Sequence, residues 1–532
     1  MQLIRSFFIF FIFIVSVTVN SQKADNENVI DVKHYLFELT VNDTTDVIEV
    51  NATITLKIIK SKKQFSLDLN SLDRTNKGMQ VLQITSKNQL VSFHHKNNLI
   101  NIRIPENNLK DSLQIYSIKY KGIPKDGLII SKNKYGERTF FGDNWPIRAR
   151  NWLASNDKVD DKALVDFKVK VPEHYQVISN GTLVEESNIK YHRKLYHYKC
   201  NIPLSTYLMV VGISRFAVQN LGNFNQIPIS TWVYPQNKKE GFYDYSLAIE
   251  IVDFFAKQIG LFPFSKLANV QSKTRFGGME NAGAIFYSEN SVTGKRKSET
   301  LLAHEIAHQW FGDSATEKEW AHLWLSEGFA TYFTNLYMEH KYGKEKLQKR
   351  LINERLKIIQ FYKKQQSPVI DRDQKNYMKL LNANSYEKGG WFLHMLRMKI
   401  GDDLFWKSIR AYYDKYKFSN ALTVDFREVV EEIVHQDLSV FFDQWLYKTG
   451  QPEIDLQWQN KGNRVEITIG QIQNTETIFE FPLELLIQFK DGTSQLKTVK
   501  IKNKSQVFSF SVVSQITNII LDPNIQLLYK GM

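Results

Sequence analysis

Residues 300–312 read Thr-Leu-Leu-Ala-His-Glu-Ile-Ala-His-Gln-Trp-Phe-Gly, a segment with helical periodicity and two histidines four positions apart. Residues at this spacing lie on one face of an α-helix, so the imidazoles of His304 and His308 can bind one metal ion. Glu305 is then placed beside that metal. A five-residue pattern with three fixed positions also arises by chance, so its surroundings decide its meaning.

The next predicted helix supplies a third ligand. Glu327 follows His308 by nineteen residues, and its carboxylate can return to the same face through a turn at Gly312 and Asp313. Two histidines and one glutamate leave a fourth position open for water, as in catalytic zinc sites, whereas structural sites are usually closed by four ligands and favour cysteine. The chain has one cysteine, Cys200. We therefore expect one catalytic Zn²⁺ per chain, with a metal-free pair of helix histidines as the alternative.

The sequence on both sides of this segment shows two kinds of periodicity. From about residue 29 to 233, apolar and polar residues alternate, which predicts a large antiparallel β domain. From about Gly241 onward, apolar residues recur at helical spacing until Gly450 and Pro452 stop the last helix. Alternation then returns and predicts a small β-sandwich.

These patterns predict a multidomain α+β fold. A chain of 532 residues, 43% hydrophobic and 23% charged, is too long for one core and too apolar for disorder. We divide it into a signal peptide at 1–21, an N-terminal β domain at 22–235, a mostly helical zinc catalytic domain at 236–450 and a C-terminal β-sandwich at 451–532.

The first residues have the pattern of an export signal. Arg5 precedes an apolar stretch from residue 7 to 19, and Ser21 is a small residue near the expected cleavage point. The stretch is shorter than the roughly 20 residues that span a membrane. No other segment approaches 18 consecutive apolar residues, so we expect no stable membrane span in the mature chain. The predicted location is periplasmic or extracellular, and an uncleaved N-terminal anchor is the alternative.

The formal charge of +13 does not by itself indicate a polyanion partner. The basic residues are spread along the chain among 56 acidic residues, so we expect no nucleic-acid partner. The single cysteine excludes an intramolecular disulfide bond, and the oligomeric state stays open.

Three motifs resemble those of the gluzincin aminopeptidases, peptidase family M1, which includes aminopeptidase N and leukotriene hydrolase. Residues 304–313 and 324–332 are similar to the zinc signature of that family, and residues 385–389, Ser-Tyr-Glu-Lys-Gly, to the segment with its catalytic tyrosine. A Gly-x-Met-Glu-Asn exopeptidase motif is matched by Gly277, Gly278, Met279, Glu280 and Asn281.

The resemblance implies an N-terminal β saddle domain, a thermolysin-like catalytic domain and a small C-terminal β-sandwich. Most larger family members continue into a long helical C-terminal domain. We expect this chain to be a short form that lacks it.

The resemblance also implies an activity, the removal of single residues from peptides with a free N-terminus. Glu305 is then the general base, Tyr386 donates a hydrogen bond to the oxyanion, and the loop 277–281 binds the substrate. The family usually has Gln or Glu upstream of Arg150, where this chain has Asp143 and Asn144. Asp143 is therefore a further candidate for substrate binding, and a structural Gly-Asp-Asn turn is the alternative.

Two other functions stay open. One is hydrolysis of a different electrophile, such as the lipid epoxide handled by leukotriene hydrolase. The other is a catalytically inactive peptide-binding scaffold, which we would expect to have lost a ligand or the base, whereas this chain retains all of them. An endopeptidase would have no need of Glu280, which is therefore the discriminating residue.

Overall fold

The structure is a computed structural model that describes residues 29–104, 112–512 and 514–531. The predicted signal peptide at 1–21 lies outside these residues. Within the described ranges, no helix is long and apolar enough to cross a membrane.

The first part of the chain forms an extensive β structure. Its largest sheet has the strand order β13-β14-β11-β1-β2-β8-β4-β5, and two smaller sheets have the orders β12-β15-β10-β9 and β3-β7-β6. Pairs in the largest sheet are antiparallel except β1 with β11, which is parallel. Strands β1 to β17 are Ile30–Thr40, Ile48–Ile58, Gln64–Asp68, Gly78–Ser86, Gln89–Leu90, Phe93–Lys96, Leu99–Arg103, Leu113–Ile123, Leu128–Lys132, Arg138–Gly142, Ala163–Pro172, Gln176–Ser179, Thr182–Ile189, Arg193–Leu204, Val211–Ser214, Ala217–Phe224 and Ile227–Val233.

Alternation in the sequence corresponds to one buried face of this sheet. In β2, Val50, Ala52 and Ile54 are buried, whereas the residues between them are partly exposed. Side chains along a strand point alternately to opposite faces, so a period of two places every second residue in the core. Each aliphatic side chain buried in this way contributes roughly 1.5–3 kcal/mol.

Strands β16 and β17 pair with the catalytic region. Three further strands, β18 (Leu267–Ser272), β19 (Gly278–Met279) and β20 (Ala284–Ser288), join them in a five-stranded sheet. Its order is β16-β17-β18-β20-β19, in which β17 and β18 are parallel. Residues 217–233 therefore belong to that sheet by pairing, although their alternation assigned them to the N-terminal β domain at 22–235. A period of two shows which residues of a strand are buried but does not show which sheet the strand joins.

Helices dominate the region that follows β17. Helices α1 to α9 are Lys238–Tyr245, Ala248–Gln258, Glu299–His308, Trp324–Tyr342, Lys344–Lys364, Gly389–Ile400, Asp402–Tyr416, Thr423–Val434 and Ser439–Phe442. The strands of this region, β18 to β22, are Leu267–Ser272, Gly278–Met279, Ala284–Ser288, Ala315–Glu317 and Ser419–Ala421. Short 3₁₀ helices span Ala149–Asn151, Thr206–Leu208, Pro235–Asn237, Glu289–Ser291, Trp320–His322 and Tyr377–Leu380, and single π-helical turns span Asn384–Lys388 and Asp443–Tyr447.

The predicted mostly helical catalytic region is confirmed, with one difference at the histidine helix. That helix was expected over residues 300–312, but α3 ends at His308. The chain then turns, and the amide of Gly312 donates to the carbonyl oxygen of Ala315 at 2.8 Å. This turn returns the chain to α4, which packs against α3.

The C-terminal residues form two β-sheets, which confirms the predicted small β domain. The sheets have the orders β27-β24-β23-β29 and β26-β25-β28. Alternating residues such as Ile467 on β24 and Leu485 on β25 are fully buried. Strands β23 to β29 are Glu453–Lys461, Arg464–Gln471, Phe481–Phe489, Ser494–Ile501, Ser505–Ser511, Ile516–Leu521 and Lys530–Gly531.

Candidate active site

Three side chains from two helices converge on one point. His304 Nε2 lies 3.1 Å from His308 Nε2, and Glu327 Oε2 lies 3.1 Å from the first of these atoms and 3.2 Å from the second. Ligand atoms about 2.0–2.1 Å from a tetrahedral zinc ion stand about 3.3 Å apart. Among the described residues, these are the only three His, Cys, Asp or Glu side chains whose ligand atoms come this close together. The donor set therefore fits Zn²⁺.

Hydrogen bonds behind the ligands orient them. His308 is buried, and its Nδ1 lies 3.1 Å from the carbonyl oxygen of Phe311, to which it donates. In the neutral imidazole this bond holds the proton on Nδ1, so that Nε2, which faces His304 and Glu327, is free to bind a metal ion. The hydroxyl of Tyr386 donates to Oε1 of Glu327 at 2.8 Å, so the two oxygens of this carboxylate have different partners.

Three buried carboxyl groups surround this centre. Burial raises the pKa of Glu305 well above its ordinary value, and burial raises the pKa of Glu280 to about 7. Burial alone would also raise the pKa of Glu327, but the imidazole of His308 and then that of His304 lower it below its ordinary value. Buried acidic groups this close together are stabilised by a cation, which is a second indication that the site suits a metal ion.

The loop 277–281 lies against the glutamate between the two histidines. Gly278 begins the short strand β19, and a Cβ atom at this position would clash with the carboxyl group of Glu305. Only glycine therefore allows the loop backbone to pass this close to the carboxylate. The same approach brings Glu280, which is buried, to the ligand centre.

These groups line one cavity of about 370 Å³. It contains the three ligands, Glu305, Tyr386 and most of the loop, together with several large apolar side chains. The lining residues are Trp145, Phe276, Gly277, Gly278, Met279, Glu280, Leu301, His304, Glu305, His308, Glu327, Leu381 and Tyr386.

Two sequence models of one peptidase family match this chain, the Peptidase M1 N-terminal domain at residues 31–208 and the Peptidase family M1 domain at residues 243–445. The second range contains the ligands, Glu305, the loop and Tyr386. The chain belongs to peptidase family M1. The fold expected from that resemblance, an N-terminal β domain followed by a helical catalytic region and C-terminal strands, is the fold observed.

Curated relatives of this M1 chain are named as aminopeptidases. "Probable aminopeptidase 1" of Sulfurisphaera tokodaii is 28% identical and aligns with 82% of this chain and 56% of its own length. "Aminopeptidase 2" of Candida albicans is 25% identical over 89% of this chain and 54% of its own length. "Glutamyl aminopeptidase" of Homo sapiens is 27% identical over 59% of this chain and 34% of its own length. The chain thus spans about half the length of the first two relatives and about a third of the length of the third.

One residue that positions the site in this M1 chain was missed by the sequence analysis. Gln309 follows His308 and is fully buried. Its Nε2 donates to the carbonyl oxygen of Glu280 at 2.7 Å and to Oδ2 of Asp313 at 2.8 Å, and its Oε1 accepts from the amide of Gly283 at 2.8 Å. This side chain therefore ties the loop to the helix that carries the histidines. Its signal in the sequence was its place between the second histidine and two large aromatic residues, Trp310 and Phe311.

The N-terminal β domain of the M1 chain also donates hydrogen bonds to the segments that flank the site. Lys162 Nζ donates to the carbonyl oxygens of Asp313 at 3.1 Å and Ser314 at 2.8 Å, just beyond the histidine helix. Burial lowers the pKa of Lys162 to about 7. Tyr207 donates to the carbonyl oxygen of Gly312 at 3.1 Å. On the loop side, Asn180 Nδ2 donates to the carbonyl oxygen of Ala282 at 3.0 Å.

Asp143 does not lie where the sequence analysis expected it. Its carboxylate is fully buried, pairs with Arg148, and accepts hydrogen bonds from the Thr274 hydroxyl at 3.2 Å and the Arg275 amide at 3.0 Å. Neither Asp143 nor Asn144 lines the cavity. These bonds give Asp143 a structural environment, although the turn begins at Trp145 and not within Gly-Asp-Asn, and Trp145 itself lines the cavity.

Asn281 is likewise set back from the cavity. It is fully buried, and within the described residues neither atom of its side-chain amide has a hydrogen-bond partner. The four residues before it, 277–280, line the cavity as expected.

Proposed function

We propose that this protein is a zinc-dependent aminopeptidase that hydrolyses the first peptide bond of peptides with a free amino end. The observation that carries the proposal is the position of Glu280, whose carboxyl group lines the same cavity as the three candidate ligands and Glu305. A buried carboxylate beside the reaction centre can bind a substrate ammonium group by a charge-assisted hydrogen bond.

His304, His308 and Glu327 would hold the metal. A zinc ion bound there lowers the pKa of a water molecule and polarises the scissile carbonyl group. Glu305 takes the proton of the attacking water on a carboxyl oxygen and returns it to the leaving amine. Tyr386 donates its hydroxyl hydrogen to the oxygen of the substrate carbonyl group as that oxygen gains charge. Burial raises the pKa of Tyr386 well above its ordinary value, which keeps this donor protonated.

The loop limits cleavage to the first residue. The ammonium group of the substrate pairs with Glu280, so the next peptide bond along the chain is the one presented to Glu305. A peptide with an acetylated amino end has no positive charge for this pair and leaves the buried carboxyl group without its partner.

The cavity wall favours an apolar first residue in the substrate. Trp145, Phe276, Met279, Leu301 and Leu381 supply its large apolar surface. Among the described residues that line it, none is Lys or Arg. An acidic first side chain would therefore be buried near Glu280 without a cation, which is unfavourable.

The experiment compares kcat/KM for matched aminoacyl amides with free and acetylated amino groups. The wild-type protein is expected to cleave the free substrates at least about 10- to 150-fold faster, which corresponds to a charged hydrogen bond of roughly 1.5–3 kcal/mol. Leu and Phe substrates should exceed Glu substrates. Glu280→Ala should lose most of the preference for a free amino group while retaining zinc.

Equal cleavage of free and acetylated substrates by the wild-type protein would contradict the aminopeptidase proposal and leave a zinc hydrolase of another kind. Absence of any cleavage in the zinc-loaded protein would favour the inactive scaffold. No described residue specifically favours hydrolysis of a lipid epoxide.

We also propose that the protein is exported to the periplasm or the cell exterior. The cation and apolar stretch at residues 1–21 support this. Fractionation of cells that produce the full chain, with N-terminal sequencing of the product, tests it. A product that keeps residues 1–21 in the cytoplasm would contradict it.

A further inference from the structure

Helices α4 and α6 meet backbone to backbone at a pair of glycines. A Cβ atom at position 328 would lie 2.8 Å from the Cα of Gly389 and 3.2 Å from the carbonyl oxygen of Ser385. A Cβ atom at position 389 would lie 3.0 Å from the Cα of Gly328 and 3.2 Å from the Cβ of Trp324. These distances leave no room for a side chain at 328 and scarcely any at 389.

Both positions require glycine because a Cβ atom would clash with neighbouring atoms, and not because the backbone adopts an unusual conformation. Gly328 lies inside α4, and Gly389 begins α6 with an ordinary helical φ of −59°. Glycine is the least favourable residue in a helix interior after proline, so Gly328 lowers the intrinsic helical preference of α4. Glycine at this position nevertheless allows the two helices to approach each other closely.

The contact lies beside two residues of the candidate active site, Glu327 and Tyr386. Gly328 directly follows Glu327, and Ser385 directly precedes Tyr386. The hydroxyl of Tyr386 lies 2.8 Å from Oε1 of Glu327. The space that a side chain at 328 would need is therefore filled by the backbone of Gly389, which directly follows the turn, and by the carbonyl oxygen of Ser385 within it.

This turn is fastened at both ends and cannot slide aside. At its start, Asn384 Nδ2 donates to the carbonyl oxygens of Ser367 at 2.9 Å and Pro368 at 3.1 Å. At its end, the buried Lys388 donates from Nζ to the carbonyl oxygen of Gly450 at 2.7 Å. A methyl group added at 328 would thus press on Gly389, directly after the turn, and on Ser385 within it, and so displace the turn together with Tyr386.

We propose that Gly328, with Gly389 opposite it, is a positioning residue for Tyr386. Because position 328 has no side chain, the turn can pack directly against the backbone of the helix that carries Glu327. This short distance determines the position of the Tyr386 hydroxyl relative to the scissile bond. This inference rests on the proposed function, because it assigns the glycine pair a role only through the donor hydroxyl of Tyr386.

The test uses Gly328→Ala and Gly389→Ala in the full chain, each in the wild-type and in the Tyr386→Phe background. Gly390→Ala is the matched control, since its Cβ would meet the Thr331 side chain at 3.2 Å and not the turn. Zinc content, the thermal midpoint, kcat and KM are measured for each protein.

In the wild-type background, kcat should fall about 10- to 100-fold with KM changed less than about 3-fold, because a displacement near 1 Å misplaces the donor. Zinc content should not change. In the Tyr386→Phe background the same substitutions should lower kcat by less than about 3-fold, since the hydroxyl that they displace is already absent. The control should keep wild-type kcat.

An equal loss of kcat in both backgrounds would overturn the inference, because the glycines would then act on the fold in general. Loss of zinc would also overturn it, since Gly328 would then act through Glu327. If Gly328→Ala does not fold, the test rests on Gly389→Ala alone. One of the atoms that its Cβ would meet belongs to the side chain of Trp324, which can move more easily than backbone. Full turnover by Tyr386→Phe itself would instead remove Tyr386 from the proposed mechanism, which separates the two failures.

Discussion

The loop 277–281 and the turn Asn384–Lys388 face the same cavity but are attached to the ligand helices in different ways. The loop is held by directional hydrogen bonds, chiefly those of Gln309 to the carbonyl oxygen of Glu280 and from the amide of Gly283. The turn makes one hydrogen bond to these helices, from Tyr386 to Glu327, and its backbone is in close steric contact with Gly328. Hydrogen bonds weaken gradually as their geometry changes, whereas close-packed backbones do not yield. Under the proposed function, the loop would accommodate different substrates and the turn would place one hydroxyl.

The largest expected effect comes from removing the centre that both regions face. His308→Ala deletes one of three candidate ligands, so zinc and activity should be lost together, with turnover reduced at least about 1000-fold. Metal analysis and kinetics on the purified protein measure this. His94→Ala, which replaces an exposed histidine of the N-terminal domain, should change neither. Full zinc occupancy in the His308 variant would remove it from the ligand set.

A smaller effect is expected at the point where the loop touches the ligand helix. Glu305→Gln keeps the shape that packs against Gly278 and is outside the ligand triangle, so zinc should be retained. The amide cannot accept the proton of the attacking water, and kcat should fall at least about 100-fold. Turnover near that of the wild type would exclude Glu305 as the base.

The smallest expected effect distinguishes the hydrogen-bonded attachment of the loop 277–281 from the steric contact of the turn Asn384–Lys388. Gln309→Met removes the bonds that hold the loop, so Glu280 should lose its fixed position, with kcat/KM falling about 10-fold, mainly through KM. The preference for free over acetylated substrates should fall as well. Gln495→Met, at an exposed position of the last domain, serves as the control. A loss confined to kcat would mean that the loop and the turn respond alike, which contradicts the comparison.

The sequence predicted the parts of this molecule that are encoded by spacing. The interval from His304 to His308 on one helix predicted their shared face, and alternation predicted the strands of both β domains. The motif at 277–281 indicated the cavity-lining loop. These features depend on residues that are neighbours in the chain or follow a regular period.

The parts that sequence reasoning missed depend on contacts between distant residues. Asp143 was expected at the substrate, but two of its partners, Thr274 and Arg275, lie more than 130 residues further along the chain. The roles of Gln309 and Gly328 depend on which backbone lies opposite them. A local pattern does not contain this information.

Lys162, Tyr207 and Asn180 have a consequence for how such proteins can be recombined. Their hydrogen bonds reach carbonyl groups in the turn after the histidine helix and directly after the loop 277–281, yet all three residues precede the catalytic region in the chain. A chimera that joined residues 243–445 to a foreign partner without these donors would lose bonds in buried places, each worth roughly 1–3 kcal/mol. We therefore expect the catalytic region to keep its stability only when the N-terminal domain that supplies these donors is transferred with it.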